Sequence, residues 1–176
     1  MKVLVTGGVR SGKSRHAESL LPAGEVVTYV APGPTTAEDG DPDWAARIAA
    51  HRDRRPATWV TRETRDLATA VREATGPVLV DCLGTWLSAL LDAEDAWTSP
   101  SDQVSDLVER RLVDLTDALA ASPRTVVLVT NEVGLGIVPE HRSGRLFRDL
   151  LGTVNQRVAA VCDDVVLVIA GRTLTL

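Results

Sequence analysis

Residues 7–14 read Gly-Gly-Val-Arg-Ser-Gly-Lys-Ser, a complete G-x-x-x-x-G-K-S pattern that directly follows an apolar run over residues 2–6. Glycines in such a loop let backbone N–H groups point inward around an anion, while Lys13 supplies a point charge and Ser14 a hydroxyl for Mg²⁺. A strand before the pattern and a helical pattern over 14–21 after it are the context that a phosphate loop requires. The sequence therefore predicts a nucleoside triphosphate site, with phosphate contacts on Gly7, Gly8, Val9, Arg10, Ser11, Gly12, Lys13 and Ser14.

Short apolar segments recur along the chain, over residues 3–5, 26–30, 78–80, 125–129 and 165–169. Their apolar residues are continuous rather than alternating, which is typical of parallel strands buried on both faces. Between them, residues 104–119 and 147–161 repeat apolar side chains at the helical period. With 176 residues, the chain has about the length of one domain. The sequence therefore predicts a single α/β domain over 1–176, a P-loop NTPase with a mostly parallel sheet and helices on both faces.

The overall charge and the cysteine usage narrow the class of protein. A net charge of −5 and an isoelectric point near 5.2 argue against a nucleic-acid partner, whose phosphates call for a basic surface. Cys82 and Cys162 lie far apart in apolar surroundings, so we expect buried free thiols in a reducing cytoplasm. No apolar stretch approaches the roughly 18 residues of a membrane span. We therefore expect a cytoplasmic protein that neither binds nucleic acid nor crosses a membrane.

Acidic and amide side chains follow two of the predicted strands. Asp81 ends the segment over 78–80, a pattern typical of a strand whose carboxylate holds Mg²⁺ beside a phosphate loop. A turn, or the N-cap of a helix over 83–91, is the alternative role of this residue, but the intact phosphate loop favours the magnesium site. Asn131 and Glu132 follow another strand, where they either face the nucleotide crevice or serve as a helix cap or loop staple. The sequence leaves both roles open for this pair.

A helix is predicted over about 42–54. Asp41 is a good N-cap and Pro42 suits a first helical turn, whereas Pro56 disfavours a helical conformation at Arg55. The preceding segment over 31–40 has no periodicity and many helix breakers, so we expect a mobile loop. That loop follows the second strand, which predicts that it lies beside the nucleotide.

One face of the predicted helix has an unusual composition. Arg47, His51 and Arg54 share this face, while Trp44 and Ile48 lie on an adjoining apolar one. Neighbouring positive charge favours a neutral imidazole, whose lone pair can attack phosphorus, and guanidinium groups can hold phosphate oxygens bidentately. By spacing alone, a solvated basic face that happens to contain a histidine is the simpler interpretation.

Taken together, these motifs resemble the bifunctional adenosylcobinamide kinase/adenosylcobinamide-phosphate guanylyltransferase family of cobalamin biosynthesis, the CobU/CobP type. The similarity spans essentially the whole chain. Its most specific part covers residues 131–139, which read Asn-Glu-Val-Gly-Leu-Gly-Ile-Val-Pro. The other matching segments are residues 5–18, 45–48, 51–56 with Trp59, 81–83 with 86–87, 145–149 and 155–157.

The resemblance implies two reactions on one protein. ATP or GTP phosphorylates the aminopropanol hydroxyl of adenosylcobinamide, and a histidine then takes GMP from GTP and passes it to that phosphate, giving adenosylcobinamide-GDP. His51 aligns with the family's guanylylated histidine, so the resemblance selects the nucleophile over the solvated helix face. It also implies a RecA-like sheet and a homotrimer with active sites near the subunit boundaries.

The same alignment implies which residues form the site. We expect His51, Lys13 and Asp81 to be catalytic, and Ser14 and Asp81 to hold Mg²⁺. A small-molecule P-loop kinase without nucleotidyl transfer is the alternative, and it predicts γ-phosphoryl transfer without covalent GMP. A nucleotide-sensing binding module would bind GTP without turnover. Besides the phosphate loop, the expected nucleotide contacts are Ala31, Pro32, Gly33, Arg52, Asp53, Arg54, Arg55, Glu63 and Asp81.

Overall fold

The computed structural model describes all 176 residues, and its strands form one seven-stranded sheet. In chain order they are β1 (Lys2–Gly7), β2 (Thr28–Ala31), β3 (Val60–Glu63), β4 (Val78–Asp81), β5 (Val126–Val129), β6 (Asp164–Ile169) and β7 (Arg172–Thr175). Their spatial order is β3-β2-β4-β5-β1-β6-β7, and only β7 runs antiparallel to its neighbour. The carboxyl ends of the parallel strands therefore meet at one edge of the sheet, where ligands of open parallel sheets bind.

Helices cover both faces of this sheet. They are α1 (Lys13–Ser19), α2 (Pro42–Asp53), α3 (Leu67–Glu73), α4 (Leu83–Ala93), α5 (Ser101–Ala121) and α6 (Arg142–Ala159), with a short 3₁₀ helix over Ala96–Thr98. α3, α4, α5 and α6 pack on one face in a cluster of 28 buried residues, whereas α1 covers the other face with a cluster of 12. α2 buries none of its residues and belongs to neither cluster. The predicted α/β fold with helices on both faces is therefore confirmed.

The five predicted strands are all present, and two further strands escape the prediction. β2 begins at Thr28, so Val26 and Val27 precede it. β3 and β7 are the two edge strands of the sheet, and nearly all of their side chains are exposed. A strand that faces solvent does not need the continuous apolar run by which the inner strands are recognised.

The two cysteines differ in burial although both are free thiols. Cys82 is buried as expected, whereas Cys162 is only partly buried because it lies in the turn between α6 and β6. Burial raises the pKa of both thiols, that of Cys162 to about 12. None of the helices combines the length and the apolar character that a membrane span requires.

Candidate nucleotide site

The phosphate loop joins β1 to α1, and two of its positions require glycine. At Gly7 there is no space for a side chain, and at Gly12 the backbone is left-handed. A Cβ on Gly7 would lie 2.4 Å from the backbone oxygen of Val168 in β6 and 2.8 Å from Ser11 Oγ. Gly12 has a φ of 97° immediately before α1 begins at Lys13. The predicted sequence of strand, glycine loop and helix is therefore confirmed, with the helix N-terminus directed to the loop.

Lys13 is a buried cation at the start of α1, with 6% of its surface exposed. Its Nζ donates a hydrogen bond to the backbone oxygen of Gly8 at 3.1 Å and has no other acceptor. Burial lowers the pKa of Lys13, while the neighbouring Cys82 and Asp81 act in the opposite direction. Because an ammonium group has three donors, two of them are left for the phosphate oxygens of a nucleotide.

α2 begins and ends where the sequence predicts. Asp41 caps the helix by accepting a hydrogen bond from the Asp43 backbone N–H at 2.9 Å, and Pro42 occupies its first turn. The helix ends at Asp53 and is followed by Arg54. α2 has no fully buried residue, and several polar contacts attach it to its neighbours.

Two of these polar contacts attach α2 to neighbouring segments. Trp44 Nε1 donates to the backbone oxygen of Pro34 at 2.9 Å, which fixes the helix against the loop over 31–40. Arg54 Nη2 donates to Glu18 Oε1 of α1 at 2.9 Å. Arg54, an expected nucleotide contact, is thus already paired with a carboxylate.

Arg55 provides the third attachment, just beyond the end of α2. Its Nε donates to the backbone oxygen of His51 at 2.9 Å, and its Nη1 donates to Thr61 Oγ1 in β3 at 3.2 Å. The guanidinium carbon lies 3.7 Å from the centre of the Tyr29 ring, a cation–π distance. Arg55 therefore links the His51 turn to β2 and β3.

His51 faces Asp81 at the carboxyl end of β4. His51 Nδ1 lies 3.6 Å from Asp81 Oδ2, and their side chains are 22% and 8% exposed. Asp81 Oδ2 is buried and has no hydrogen-bond partner. The N-cap of α4 is Cys82, so the alternative role of Asp81 as a helix cap is excluded. A carboxylate beside Nδ1 favours the tautomer with its proton there, leaving the lone pair on Nε2.

Two cavities meet beneath α2. The first, called here the sheet-edge cavity, lies at the ends of β2, β3 and β4. The second, called the loop cavity, lies between the phosphate loop and α2. Trp44, Arg47 and His51 are the residues that line both. His51 is therefore located at the junction of a phosphate-binding region with a separate cavity.

Most of the expected contacts line one of these cavities. The sheet-edge cavity is lined by Ala31, Gly33, Arg52, Arg55, Glu63 and Asp81, and the loop cavity by Arg10, Ser11, Gly12, Lys13, Ser14 and Arg54. Pro32 and Asp53 line neither, nor do Gly7, Gly8 and Val9, although the backbone oxygen of Gly8 holds Lys13. Tyr29, Thr61 and Thr85 also line the sheet-edge cavity, although the sequence did not predict them as site residues. Only for Tyr29 did the sequence carry a signal, because it lies near the carboxyl end of a predicted strand.

The structure answers the open question about Asn131 and Glu132. Glu132 Oε1 accepts a hydrogen bond from the Gly134 N–H at 2.5 Å, and Asn131 Oδ1 accepts one from Cys82 Sγ at 3.5 Å. Neither side chain lines the sheet-edge cavity or the loop cavity. Both act as loop staples, and the Glu132 backbone N–H also donates to the Gly7 oxygen at 3.2 Å. The segment that contains this pair therefore holds the phosphate loop through a backbone hydrogen bond.

Comparisons with known proteins show which family the chain belongs to. The chain matches the family model described as cobinamide kinase / cobinamide phosphate guanyltransferase over residues 3–176. The bifunctional adenosylcobalamin biosynthesis protein CobU of Salmonella typhimurium is 45% identical over 97% of each chain, and that of Escherichia coli is 41% identical over 97% of each. The corresponding CobP of Pseudomonas aeruginosa is 39% identical over 100% of this chain and 97% of its own. The resemblance in the motifs is confirmed, and this chain belongs to the cobinamide kinase / cobinamide phosphate guanyltransferase family.

Proposed function

We propose that this chain catalyses both reactions of its family: phosphorylation of adenosylcobinamide by ATP or GTP, and transfer of GMP from GTP to the resulting phosphate. The observation that carries the proposal is the position of His51, which lines both the loop cavity and the sheet-edge cavity. A nucleotide with its terminal phosphates on the phosphate loop and its nucleoside in the sheet-edge cavity has its α-phosphorus at this junction.

The sheet-edge cavity suits the nucleoside of GTP. The carboxylate of Glu63, at the end of β3, can accept hydrogen bonds from the N–H groups on the Watson–Crick edge of guanine. A Cβ on residue 33 would fill the space beside Trp44 and Thr85, at 3.2–3.3 Å from their side chains. Because Gly33 has no side chain, this space is left for a base or ribose. Ala31 and Pro32 precede Gly33 in the chain, and their backbone carbonyl groups can accept hydrogen bonds from the nucleoside. The Arg52 guanidinium supplies positive charge for the α-phosphate.

In guanylyl transfer, His51 acts as the nucleophile. Its Nε2 attacks the α-phosphorus, a nitrogen–phosphorus bond forms, and the bond to the bridging oxygen of the β-phosphate breaks, so that pyrophosphate leaves with the electron pair. The proton on Nδ1 faces Asp81, whose negative charge stabilises the ring as it becomes positive. In the second step a phosphate oxygen of the corrinoid attacks the same phosphorus, and the nitrogen–phosphorus bond breaks.

In phosphoryl transfer, the phosphate loop supplies the groups that hold the reacting phosphates. Lys13 and the backbone N–H groups of residues 8–13 hold the β- and γ-phosphates while the aminopropanol hydroxyl attacks the γ-phosphorus. The bond between the γ-phosphorus and the bridging oxygen breaks, the nucleoside diphosphate leaves with the electron pair, and the hydroxyl proton passes to water. This reaction does not use His51, so the two activities depend on different residues of one site.

Mg²⁺ is part of the proposal, and the residues present fit it. Asp81 has a buried oxygen without a hydrogen-bond partner, and Ser14 presents a hydroxyl in the loop cavity. The chain has no cluster of three His, Cys, Asp or Glu side chains that would bind a metal by themselves. This suits Mg²⁺, which takes most of its ligands from water and phosphate oxygens. Ser14 and Asp81 would hold the ion, which when bound neutralises charge on the phosphates.

The experiment is incubation with Mg²⁺ and GTP labelled at the α-phosphorus. We expect acid-labile, base-stable label on the wild-type chain and none on His51→Ala, which should still transfer the γ-phosphoryl group of ATP to adenosylcobinamide. His141→Ala is the matched control, because His141 is exposed and its side chain makes no capping hydrogen bond. Label on His51→Ala would refute the nucleophile. An unlabelled wild type that still phosphorylates adenosylcobinamide would identify a P-loop kinase without nucleotidyl transfer.

The homotrimer and the cytoplasmic location implied above also belong to the proposal. Leu135 and Ile137 are 87% and 96% exposed in the loop after β5, and apolar surface of this kind supports a subunit contact. Two unpaired thiols support a reducing compartment. Sedimentation equilibrium of the wild type and of a Leu135→Ser, Ile137→Ser variant tests the assembly, and a monomeric wild type would contradict it.

A further inference from the structure

Arg47 lies one helical turn before His51 on the exposed surface of α2. Like His51 and Trp44 it lines both cavities, and it is the one permanently charged side chain of the three. Its guanidinium therefore stands at the same junction as the predicted nucleophile.

The other arginines near the junction already have partners or line only one cavity. Arg54 is paired with Glu18, and Arg55 is held by His51, Thr61 and the Tyr29 ring. Arg52 lines only the sheet-edge cavity, whereas Arg10 and Arg15 line only the loop cavity.

Arg47 itself has no hydrogen bond and no ion pair. Asp43 lies one turn before it on α2, but the two side chains do not form an ion pair. Its guanidinium carbon instead lies 5.9 Å from the centre of the Trp44 ring, over the face of that ring. Trp44 is in turn fixed by its hydrogen bond to Pro34. An aromatic platform thus supports a guanidinium whose five donors are all free.

Arg47 and Lys13 are two positively charged side chains that line the loop cavity. Two cations that face each other repel, and an anion between them removes the repulsion. The phosphate chain of a nucleotide on the loop is such an anion.

We propose that Arg47 is a catalytic residue of guanylyl transfer, which binds oxygens of the α- and β-phosphates and stabilises the pyrophosphate as it leaves. This inference rests on the proposed function. As the nitrogen–phosphorus bond to His51 forms, the bond between the α-phosphorus and the bridging oxygen breaks, and negative charge grows on that oxygen. A planar guanidinium can donate to two phosphate oxygens at once, which an ammonium cannot do with the same geometry.

The experiment compares Arg47→Ala and Arg47→Lys with the wild type in GTP labelled at the α-phosphorus. Loss of one preorganised donor typically costs about 10²- to 10³-fold, and we expect that reduction in the rate of covalent labelling of Arg47→Ala. Arg47→Lys should recover only part of the rate. γ-Phosphoryl transfer to adenosylcobinamide should fall less than about tenfold, because the oxygen that gains charge there bridges the β- and γ-phosphates and lies further from the junction at which Arg47 stands. Arg110→Ala is the matched control, since Arg110 is exposed on α5 and has no ion-pair partner.

Labelling of Arg47→Ala at the wild-type rate, or an equal loss in both reactions, would overturn the assignment. Titration with pyrophosphate and Mg²⁺ provides a readout that does not depend on catalysis. We expect Arg47→Ala to bind pyrophosphate more weakly and guanosine as well as the wild type does. If the wild type acquires no label yet Arg47→Ala loses pyrophosphate affinity, the nucleotidyl transfer fails while the phosphate contact stands. Unchanged pyrophosphate affinity refutes Arg47 in either case.

Discussion

Replacement of Gly7 by alanine tests how tightly the phosphate loop is joined to the sheet. Gly7 is the last residue of β1 and pairs with Val168 of β6. An alanine Cβ would lie 2.4 Å from the Val168 oxygen, whereas ordinary contacts begin at 3.4 Å. About 1 Å of movement is therefore needed between two strands that are paired along their length.

The neighbouring glycine offers a matched control in the same loop. A Cβ on Gly8 would have nothing within 4 Å. Overpacking of a well-packed site costs about 1–3 kcal/mol, and the atom opposing Gly7 is backbone, so we expect the upper part of this range, about 2–3 kcal/mol. For a chain of this size that corresponds to a decrease in Tm of roughly 4–12 °C. Gly8→Ala should change the free energy of unfolding by less than about 0.5 kcal/mol.

Urea denaturation followed by tryptophan fluorescence measures this difference, since the chain has four tryptophans. Addition of GTP and Mg²⁺ extends the assay to binding. A ligand at a hundredfold excess over its Kd adds about 2.7 kcal/mol of stability, and Gly7→Ala should gain less than the wild type at the same concentration because its loop is displaced. The reasoning is wrong if Gly7→Ala is as stable as the wild type, or if Gly8→Ala is destabilised to the same extent without nucleotide.

Two further predictions use the pKa shifts. The folded pKa of Lys13 lies below the value of 10.5 of an unfolded lysine, so between these two values the unfolded chain binds more protons and stability rises with pH. Lys13→Met should lack that rise, be at least as stable as the wild type at pH 7 and lose stabilisation by GTP, whereas a parallel pH dependence of the two proteins up to pH 10.5 would contradict the burial argument. The native chain should react slowly with a disulfide reagent at pH 8, because a pKa of about 12 leaves only about 10⁻⁴ of Cys162 as thiolate; both thiols should react at once in urea, and fast labelling of the native Cys162 would contradict the shift.

Features set by neighbouring residues could be predicted from the sequence. The phosphate loop is one, because a strand, two glycines and a lysine within one loop determine the conformation that binds phosphate. The ends of α2 are another, since Asp41, Pro42 and Pro56 act on their own turns of the chain. The polar edge strands β3 and β7 were missed, because solvent on one side removes the apolar pattern that marks a strand.

The sequence by itself determined the α/β fold, the triphosphate site and, through the motifs of its family, the choice of His51 among three histidines. Only the tertiary structure decided that His51 Nδ1 faces Asp81, a residue thirty positions further along the chain. The pairing of β2 with β4 brings the end of β4 close to α2, which follows β2 in the chain. It also decided which arginines are free, because Glu18 and Tyr29 come from distant segments to engage Arg54 and Arg55. Local motifs follow from short-range sterics and hydrogen bonds, whereas the charge environment of a site depends on which segments the sheet places side by side.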